Sequence, residues 1–151
     1  MVLRLAVLAC LAAFHLLGGM AAANPPERTV AVAPGGFFPV LVTDDRGDLV
    51  AVVRGGAPHV GVGGRLDLVR SDDGGRTWSK PVTVADEPPD SRNPAFGSAG
   101  AGRLVVAYWV RGEYREGRFD GFMWGRYTAW GWTSDDRGRT WSERRQVDTA
   151  P

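Results

Sequence analysis

Short apolar stretches separated by turns containing glycine and aspartate make up the chain from about Phe38 onwards. The segment RLDLVRS, residues 65–71, alternates so that Leu66 and Leu68 share one face and Asp67 lies on the other. Apolar residues at every second position are typical of a strand with one buried face, whereas a helix repeats at about 3.6 residues. The pattern therefore predicts an all-β chain of short antiparallel strands, with Asp67 on a solvent-facing side.

One loop sequence occurs twice, as SDDGGRTWS at residues 71–79 and as SDDRGRTWS at residues 134–142. A repeated loop of this kind divides the chain into two copies of one unit, at about 36–86 and about 93–148, joined by a proline-rich connector. The strands predicted for the first copy are FPVLVTD, LVAVVRG, RLDLVRS and WSKPVTVAD, and those for the second are NPAFGSAG, RLVVAYWVRG, FMWGRYTAWGWTS and TWSERRQVDT. Each copy is therefore predicted to be four antiparallel strands, which is a propeller blade or a small meander.

The repeated loop has the chemistry of a structural turn. Its aspartate can accept hydrogen bonds from turn amides, its glycine can adopt the positive φ that closes the turn, and its serine and threonine can satisfy further amides. Its tryptophan is predicted to pack into the core of the blade. The alternating carboxylates that Ca²⁺ needs are missing, so no metal is predicted. The structural positions are Ser71, Asp73, Gly75, Thr77, Trp78, Ser134, Asp136, Gly138, Thr140 and Trp141.

The pattern Ser-x-Asp-x-Gly-x-Thr-Trp resembles the Asp-box, or BNR repeat, of the sialidase (neuraminidase) superfamily. RNPAFG, residues 92–97, also resembles the opening of a second sialidase blade. The resemblance covers about residues 36–148 and implies a six-bladed β-propeller, of which this chain supplies about two N-terminal blades. It further implies a glycoside hydrolase that releases terminal sialic acids from glycans. Asp-boxes lie at the periphery of such propellers and also occur in propellers that are not sialidases, so activity depends on other residues.

The catalytic residues that the resemblance implies are incomplete in this chain. Sialidases bind the substrate carboxylate with an arginine in a Phe/Tyr-Arg-Ile-Pro stretch, and alignment on Pro39 puts Phe37 at that position. Arg54 resembles an additional family arginine, although a solvent-facing arginine at a strand end is an equal interpretation. The acid/base aspartate is expected in the loop of residues 55–65, which has no carboxylate. His59 in that loop is a weak candidate for proton transfer, and an incidental loop histidine is the alternative.

The remaining family residues belong to later blades: a tyrosine nucleophile, its glutamate partner and two further arginines. Tyr108, Tyr114 and Tyr127 all lie in the second copy and match none of these positions. The chain by itself is therefore predicted to be inactive.

A group of aromatic residues in the second copy is a candidate for sugar binding. Trp124, Arg126 and Trp130 are the candidate substrate-binding residues, next to Phe122 and Trp132 on the same predicted strand. Packing between neighbouring blades is the stronger interpretation, because aromatic side chains dominate buried contacts. The segment before this strand, residues 114–121, is predicted to be an extended hairpin tip that could line a pocket.

The N-terminus has the features of an export signal, predicted to be residues 1–23. Arg4 precedes an apolar stretch at residues 5–19, and Ala21, Ala22 and Ala23 offer a cleavage site. An uncleaved membrane anchor is the alternative. Cleavage would leave a mature segment at 24–151, secreted or periplasmic, and no membrane association is predicted after it.

The composition of the mature segment limits the chemistry that it can use. Cys10 and His15 lie in the signal, so the mature chain has no cysteine and keeps His59 alone, which excludes disulfides and cysteine–histidine zinc sites. With 18 basic and 17 acidic residues in the whole chain, no basic stripe indicates nucleic-acid binding. No cofactor is predicted.

Three functions remain open. The first is a segment of an exported sialidase-like enzyme, and this chain is then expected to be a fragment of a longer protein. The second is a non-catalytic Asp-box module that binds glycans or proteins. The third is a pair of blades that closes a propeller by self-assembly, because open blades need neighbours for stability.

Overall fold

The first half of the chain folds as one antiparallel sheet. The computed structural model describes residues 36–120 and 127–147. The four strands of this sheet, which we call blade one, are β1 (Phe37–Thr43), β2 (Leu49–Gly55), β3 (Arg65–Ser71) and β4 (Val82–Ala85). They pair in the order β1-β2-β3-β4, so each strand is hydrogen-bonded to its neighbour in sequence. Such a meander needs only short connections, which the glycine- and aspartate-rich turns supply.

The second half repeats the same architecture with one insertion. The strands of blade two are β5 (Ser91–Gly100), β6 (Arg103–Arg111), β9 (Tyr127–Ser134) and β10 (Arg145–Gln146), in the order β5-β6-β9-β10. A two-stranded hairpin of β7 (Tyr114–Arg115) and β8 (Arg118–Phe119) is inserted between β6 and β9. The hairpin predicted at residues 114–121 is thus confirmed over Tyr114–Phe119. Blade two begins at Ser91, two residues before the predicted start at 93, because the end of the connector already pairs with β6.

The all-β prediction of two four-stranded antiparallel blades is confirmed. Strand pairing has the same register in both, since Leu49 pairs with Ser71 in blade one and Leu104 pairs with Ser134 in blade two. Each repeated loop therefore follows the third strand of its blade. The part of the predicted third strand at residues 121–126 lies outside the described residues.

The hydrophobic core lies between the two blades. Blade one contributes a face centred on β2 and β3, and blade two contributes a face centred on β6, with Trp130, Trp132 and Trp141 packed at its margin. Each fully buried valine or leucine in this layer stabilises the fold by roughly 1.5–3 kcal/mol relative to exposure. The fully enclosed members from the two blades are Val50, Val52, Leu66, Leu104 and Val106.

The prediction that Asp67 faces solvent is wrong. Asp67 is 2% exposed, and its carboxylate accepts hydrogen bonds from Arg65 Nε at 3.0 Å and Thr83 Oγ1 at 2.8 Å. Alternation correctly separates Asp67 from Leu66 and Leu68, but the side chains of Arg65 on the same strand and Thr83 on β4 contact Asp67 on this side of the sheet. The buried carboxylate is tolerated because it is hydrogen-bonded and paired with a cation. Within the described residues, no helix is long and apolar enough to cross a bilayer.

Candidate functional site

The first repeated loop is closed by a hydrogen-bond network centred on Asp73. Ser71 Oγ donates to Asp73 Oδ1 at 2.8 Å and accepts from Gly75 N at 2.8 Å. Thr77 donates to the same carboxylate twice, from its backbone N at 2.9 Å and from Oγ1 at 2.6 Å. Gly75 has a φ of +91°, a conformation that disfavours any side chain. The loop is thus held by its own side chains.

The second loop repeats this network almost bond for bond. Ser134 Oγ donates to Asp136 Oδ1 at 2.8 Å and accepts from Gly138 N at 2.7 Å. Thr140 donates to Asp136 from N at 2.8 Å and from Oγ1 at 2.5 Å. Donors converging on a carboxylate favour its charged form, so the threonine bonds above all hold the pKa of Asp73 and of Asp136 well below the ordinary value. Within residues 36–120 and 127–147, no group of three or more histidine, cysteine, aspartate or glutamate side chains could hold a metal ion.

The two loop tryptophans differ in their environments. Trp141 packs against the core between the blades, with its ring centroid 6.0 Å from that of Trp132. Trp78 is half-buried and lies over Gly75, beside the loop itself. Trp141 belongs to blade two and packs against the core that the two blades share. Trp78 belongs to blade one and covers its own turn.

A buried polar cluster occupies the end of the blades opposite to the repeated loops. At its centre is Asp90, in the connector between β4 and β5, which is 0% exposed. Asp90 Oδ1 accepts from Arg54 Nε at 3.0 Å and Nη2 at 2.6 Å, and Oδ2 accepts from Arg92 Nη1 at 3.2 Å and from the Tyr114 hydroxyl at 2.6 Å. One carboxylate therefore joins β2, β5 and the inserted hairpin. We call Arg54, Asp90, Arg92 and Tyr114 the Asp90 cluster.

Arg54 is fully enclosed, so the interpretation of it as a solvent-facing arginine is wrong. In addition to its bonds to Asp90, its guanidinium donates to the carbonyl oxygens of Ala57 at 3.3 Å, Pro58 at 2.8 Å and Gly61 at 3.1 Å. A guanidinium has five N–H donors, and this set engages all of them. The geometry assigns Arg54 to shaping the loop of residues 55–65, and leaves it no donor for a substrate carboxylate.

Tyr114 extends the cluster to the other side of the same loop. Its hydroxyl accepts a hydrogen bond from Gly61 N at 3.1 Å while it donates to Asp90. Burial, followed by the hydrogen bond and charge of Asp90, raises the pKa of Tyr114 above its ordinary value. The tyrosine is consequently protonated at neutral pH and acts here as a connector between loop and carboxylate.

His59 lies at the exposed surface of this end. Its ring centroid is 5.4 Å from that of Phe37 and 5.2 Å from that of Phe38, and its backbone oxygen accepts from Arg92 Nη2 at 3.2 Å. Phe37, at the position where the resemblance expects an arginine, has the Arg54 guanidinium 6.0 Å from its ring centre. The imidazole is therefore held by aromatic contacts.

The candidate sugar-binding residues are only partly within the described structure. Trp124 and Arg126 lie outside the described residues, and Trp130 is half-buried. The Trp130 ring packs at the margin of the core, with the Arg144 guanidinium 4.7 Å from its centre. Trp130 thus makes packing contacts of the kind that the sequence favoured for this group.

Sequence reasoning did not find Asp90. It lies in a proline-rich connector, outside both repeats, and its partners come from three other segments of the chain. The nearest signal in the sequence is that Asp90 stands two positions before Arg92, where the second blade begins.

Comparisons with known proteins show the fold. No protein-family model matches the chain, and no curated protein matches it at a significant level. Among solved structures, it is similar to a protein of unknown function from Dyadobacter fermentans DSM 18053, with 20% identity, a TM-score of 0.53, and coverage of 72% of this chain and 35% of that one. It is also similar to an alpha-L-arabinanase from Penicillium chrysogenum complexed with arabinobiose, with 20% identity, a TM-score of 0.54, and coverage of 76% and 34%.

The chain spans about a third of the length of these two structures. Its two antiparallel sheets therefore correspond to part of each of these structures. The fold is that of a group of β-propeller blades, of the kind also found in a propeller enzyme.

Proposed function

We propose that this chain is an exported segment of a sialidase-like glycoside hydrolase, whose whole form removes terminal sialic acids from glycans. The observation that carries the proposal is the duplicated loop network, with Asp73 and Asp136 bonded identically after the third strands of successive blades. That is the place of the Asp-box in the family that the sequence resembles. The likeness to an arabinanase structure adds support for a propeller that acts on carbohydrates.

The chain alone does not hydrolyse glycans in this proposal. A general acid must reach the leaving oxygen within hydrogen-bond distance. Asp90 and Glu113, two carboxylates at the end of the blades that holds the Asp90 cluster, are buried and paired with Arg54 and Arg111. In this proposal Arg54 shapes the loop of residues 55–65, His59 lies on the surface of that loop, and the nucleophile belongs to another part of the protein.

A non-catalytic glycan-binding module is the second candidate. The specific observation in its favour is that Phe37 occupies the expected arginine position while Arg54 donates only to protein acceptors. A module of this kind would bind a glycan with no turnover.

Two experiments distinguish the candidates. The first is sequencing the coding DNA past the codon of Pro151, where the enzymatic proposal requires further Asp-box motifs, a tyrosine and two arginines. The second is an assay of the full chain with a fluorogenic sialoside, together with calorimetric titration of 3′-sialyllactose. Downstream motifs and no turnover by this chain support the enzyme segment. A stop codon with saturable binding supports the binding module. Hydrolysis by this chain alone contradicts the proposal that the nucleophile lies in another part of the protein.

Export and self-association are further proposals. The predicted signal at residues 1–23 implies a secreted or periplasmic protein, which N-terminal sequencing of the exported chain would test. On the outward side of blade two, Val105 and Val147 are exposed at 39% and 44% beside an open groove of about 500 Å³. If a second copy covers that groove, light scattering should give a mass that rises with protein concentration.

A further inference from the structure

Aromatic rings and guanidinium groups alternate in a row across the Asp90 end of both blades. The Arg92 guanidinium lies 5.6 Å from the ring centre of Phe38 and 5.9 Å from that of Trp109. The Arg111 guanidinium also lies 5.9 Å from the ring centre of Trp109, and it lies 4.4 Å from that of Phe119. We call these five residues, in the order Phe38, Arg92, Trp109, Arg111, Phe119, the aromatic ladder.

The ladder crosses the strands and joins the two blades. Phe38 belongs to β1, Arg92 to β5, Trp109 and Arg111 to β6, and Phe119 to the inserted hairpin. Arg92 and Trp109 are direct cross-strand partners, and Phe37, next to Phe38, pairs with Arg54. These pairings place the ladder at one end of both sheets, opposite to the repeated loops.

Buried carboxylates behind the ladder fix its two guanidiniums. Arg92 is bound by Asp90, and Arg111 by Glu113, which is 1% exposed. The Tyr114 ring meets Phe119 edge-on, with centroids 6.3 Å apart. The rings are therefore held in place before any ligand arrives, which reduces the entropy lost on binding.

The two end rings are open to solvent. Phe38 is 36% exposed and Phe119 is 40% exposed, while the side chains of Arg92 and Arg111 are almost covered. Phe38 also has a φ of +53°, which is a strained conformation for a bulky residue. Strained backbone conformations cluster at active sites and ligand clamps.

We propose that the aromatic ladder binds an extended oligosaccharide whose successive sugar units lie across both blades. This inference rests on the proposed carbohydrate function. The apolar C–H face of a sugar ring packs on an aromatic face, and exposed aromatic patches mark such sites. The units on the ladder are neutral, because the guanidiniums of Arg92 and Arg111 are almost covered and already donate to protein acceptors, which leaves them unable to bind an acidic sugar. The ladder thus contacts internal neutral units of a glycan, whereas the family resemblance concerns a terminal acidic one.

The test is a length series measured by calorimetric titration of the full chain. The probes are linear arabino-oligosaccharides and N-acetyllactosamine oligosaccharides of two to six units, with 3′-sialyllactose as the short acidic glycan. We expect the affinity for one neutral series to increase with length. Phe119→Ala should lower the affinity for the longest member about fivefold, since one aromatic contact is worth about 0.5–1.5 kcal/mol, and should leave the disaccharide unchanged.

Val82→Ala is the control, since Val82 is an exposed apolar residue outside the ladder, and it should change no affinity. Phe38→Gly is the second variant, at the other end of the row, so that a folding defect in one variant leaves the other informative. Two results would overturn the ladder: an affinity that does not depend on oligosaccharide length, or an affinity that stays at the parent value in both phenylalanine variants. Binding of 3′-sialyllactose alone overturns the ladder while the proposed function stands. No binding of any probe overturns the ladder and the binding module, whereas the enzyme segment is decided separately by the motifs encoded downstream of Pro151.

Discussion

Arg54 and Asp90 form an ion pair in which both side chains are fully buried, with Nη2 2.6 Å from Oδ1. The pair connects the end of β2 to the connector that leads into blade two. We expect Asp90→Asn to reduce the free energy of unfolding by about 3–5 kcal/mol, because removing one partner leaves the other charge buried and uncompensated. Urea unfolding followed by tryptophan fluorescence would measure the loss.

The matched control is Asp135→Asn, which removes one partner of an exposed pair with Arg103, with side chains 68% and 57% exposed. It should leave the unfolding midpoint nearly unchanged, since solvent already screens that pair. Equal effects of Asp90→Asn and Asp135→Asn would show that the Asp90 cluster does not hold the blades together.

Gly64 is required by the same cluster for a steric reason. A Cβ at this position would overlap with the Asp90 carboxylate and the Arg54 guanidinium. We expect Gly64→Ala to destabilise the fold by about 1–3 kcal/mol or more, because both neighbours are fixed and cannot yield. Gly97→Ala is the control, since nothing lies within 4 Å of a Cβ there. Thermal unfolding of both variants would decide the point, and equal melting temperatures would contradict the close packing.

The repeated loops make stability depend on acidity. The pKa of Asp73 and of Asp136 is lowered from 3.8 in the fold, so each ionised carboxylate stabilises the native state above that pH. This contribution is lost as the pH falls from about 5 towards the folded pKa. Thr77→Val and Thr140→Val remove the largest cause of the shift. Both should lower stability at pH 7 and reduce the further loss between about pH 5 and pH 2.

Urea midpoints recorded across that pH range would test the dependence. Thr43→Val supplies the control, because Thr43 is an exposed strand residue of β1 with no part in either loop. If Thr43→Val changes the loss of stability at acid pH as much as the loop variants do, the repeated loops are not the cause of the pH dependence.

Much of the blade architecture could be predicted from the sequence because its determinants are local. Alternation places Leu66 and Leu68 on the core face, and the turn residues at each repeated loop bond within a few positions of one another. Ser71, Asp73 and Thr77 satisfy their partners across two to four residues. Local chemistry of this kind is visible in a short stretch of sequence.

The Asp90 cluster could not be predicted because most of its contacts are long-range. Asp90 is 36 residues from Arg54 and 24 from Tyr114, and it meets both only after β2 and the inserted hairpin are in place. No spacing within the connector indicates those partners. The burial of Asp67 was missed in part for a related reason, since Thr83, which donates to its carboxylate, lies 16 residues away on β4.

Arg137 provides a contact that joins the second loop to blade one. Its guanidinium binds Asp45 through Nε at 2.8 Å and Nη2 at 2.7 Å, while its φ is +64°. The equivalent position of the first loop is Gly74, whose φ is +74°. We expect Arg137→Ala to be less stable than the parent, because it keeps the backbone strain and loses the ion pair. Arg137→Gly should be more stable than Arg137→Ala, because glycine removes the strain.

Denaturant unfolding of the two variants would establish this order. An Arg137→Ala variant as stable as the parent protein would mean that the bond to Asp45 does not contribute to joining the blades.

Phe38→Gly separates stability from binding at the aromatic ladder. Glycine accepts a φ of +53° without strain, and relief of about 1–3 kcal/mol offsets the lost contacts of a ring that is already 36% exposed. We therefore expect the free energy of unfolding to stay within about 1 kcal/mol of the parent value, while the affinity for the longest neutral oligosaccharide falls about fivefold. Urea unfolding and calorimetric titration on the same preparation measure both quantities. A large loss of stability with unchanged affinity would show that Phe38 is held in its strained conformation for packing, and that the ladder has no ligand at this end.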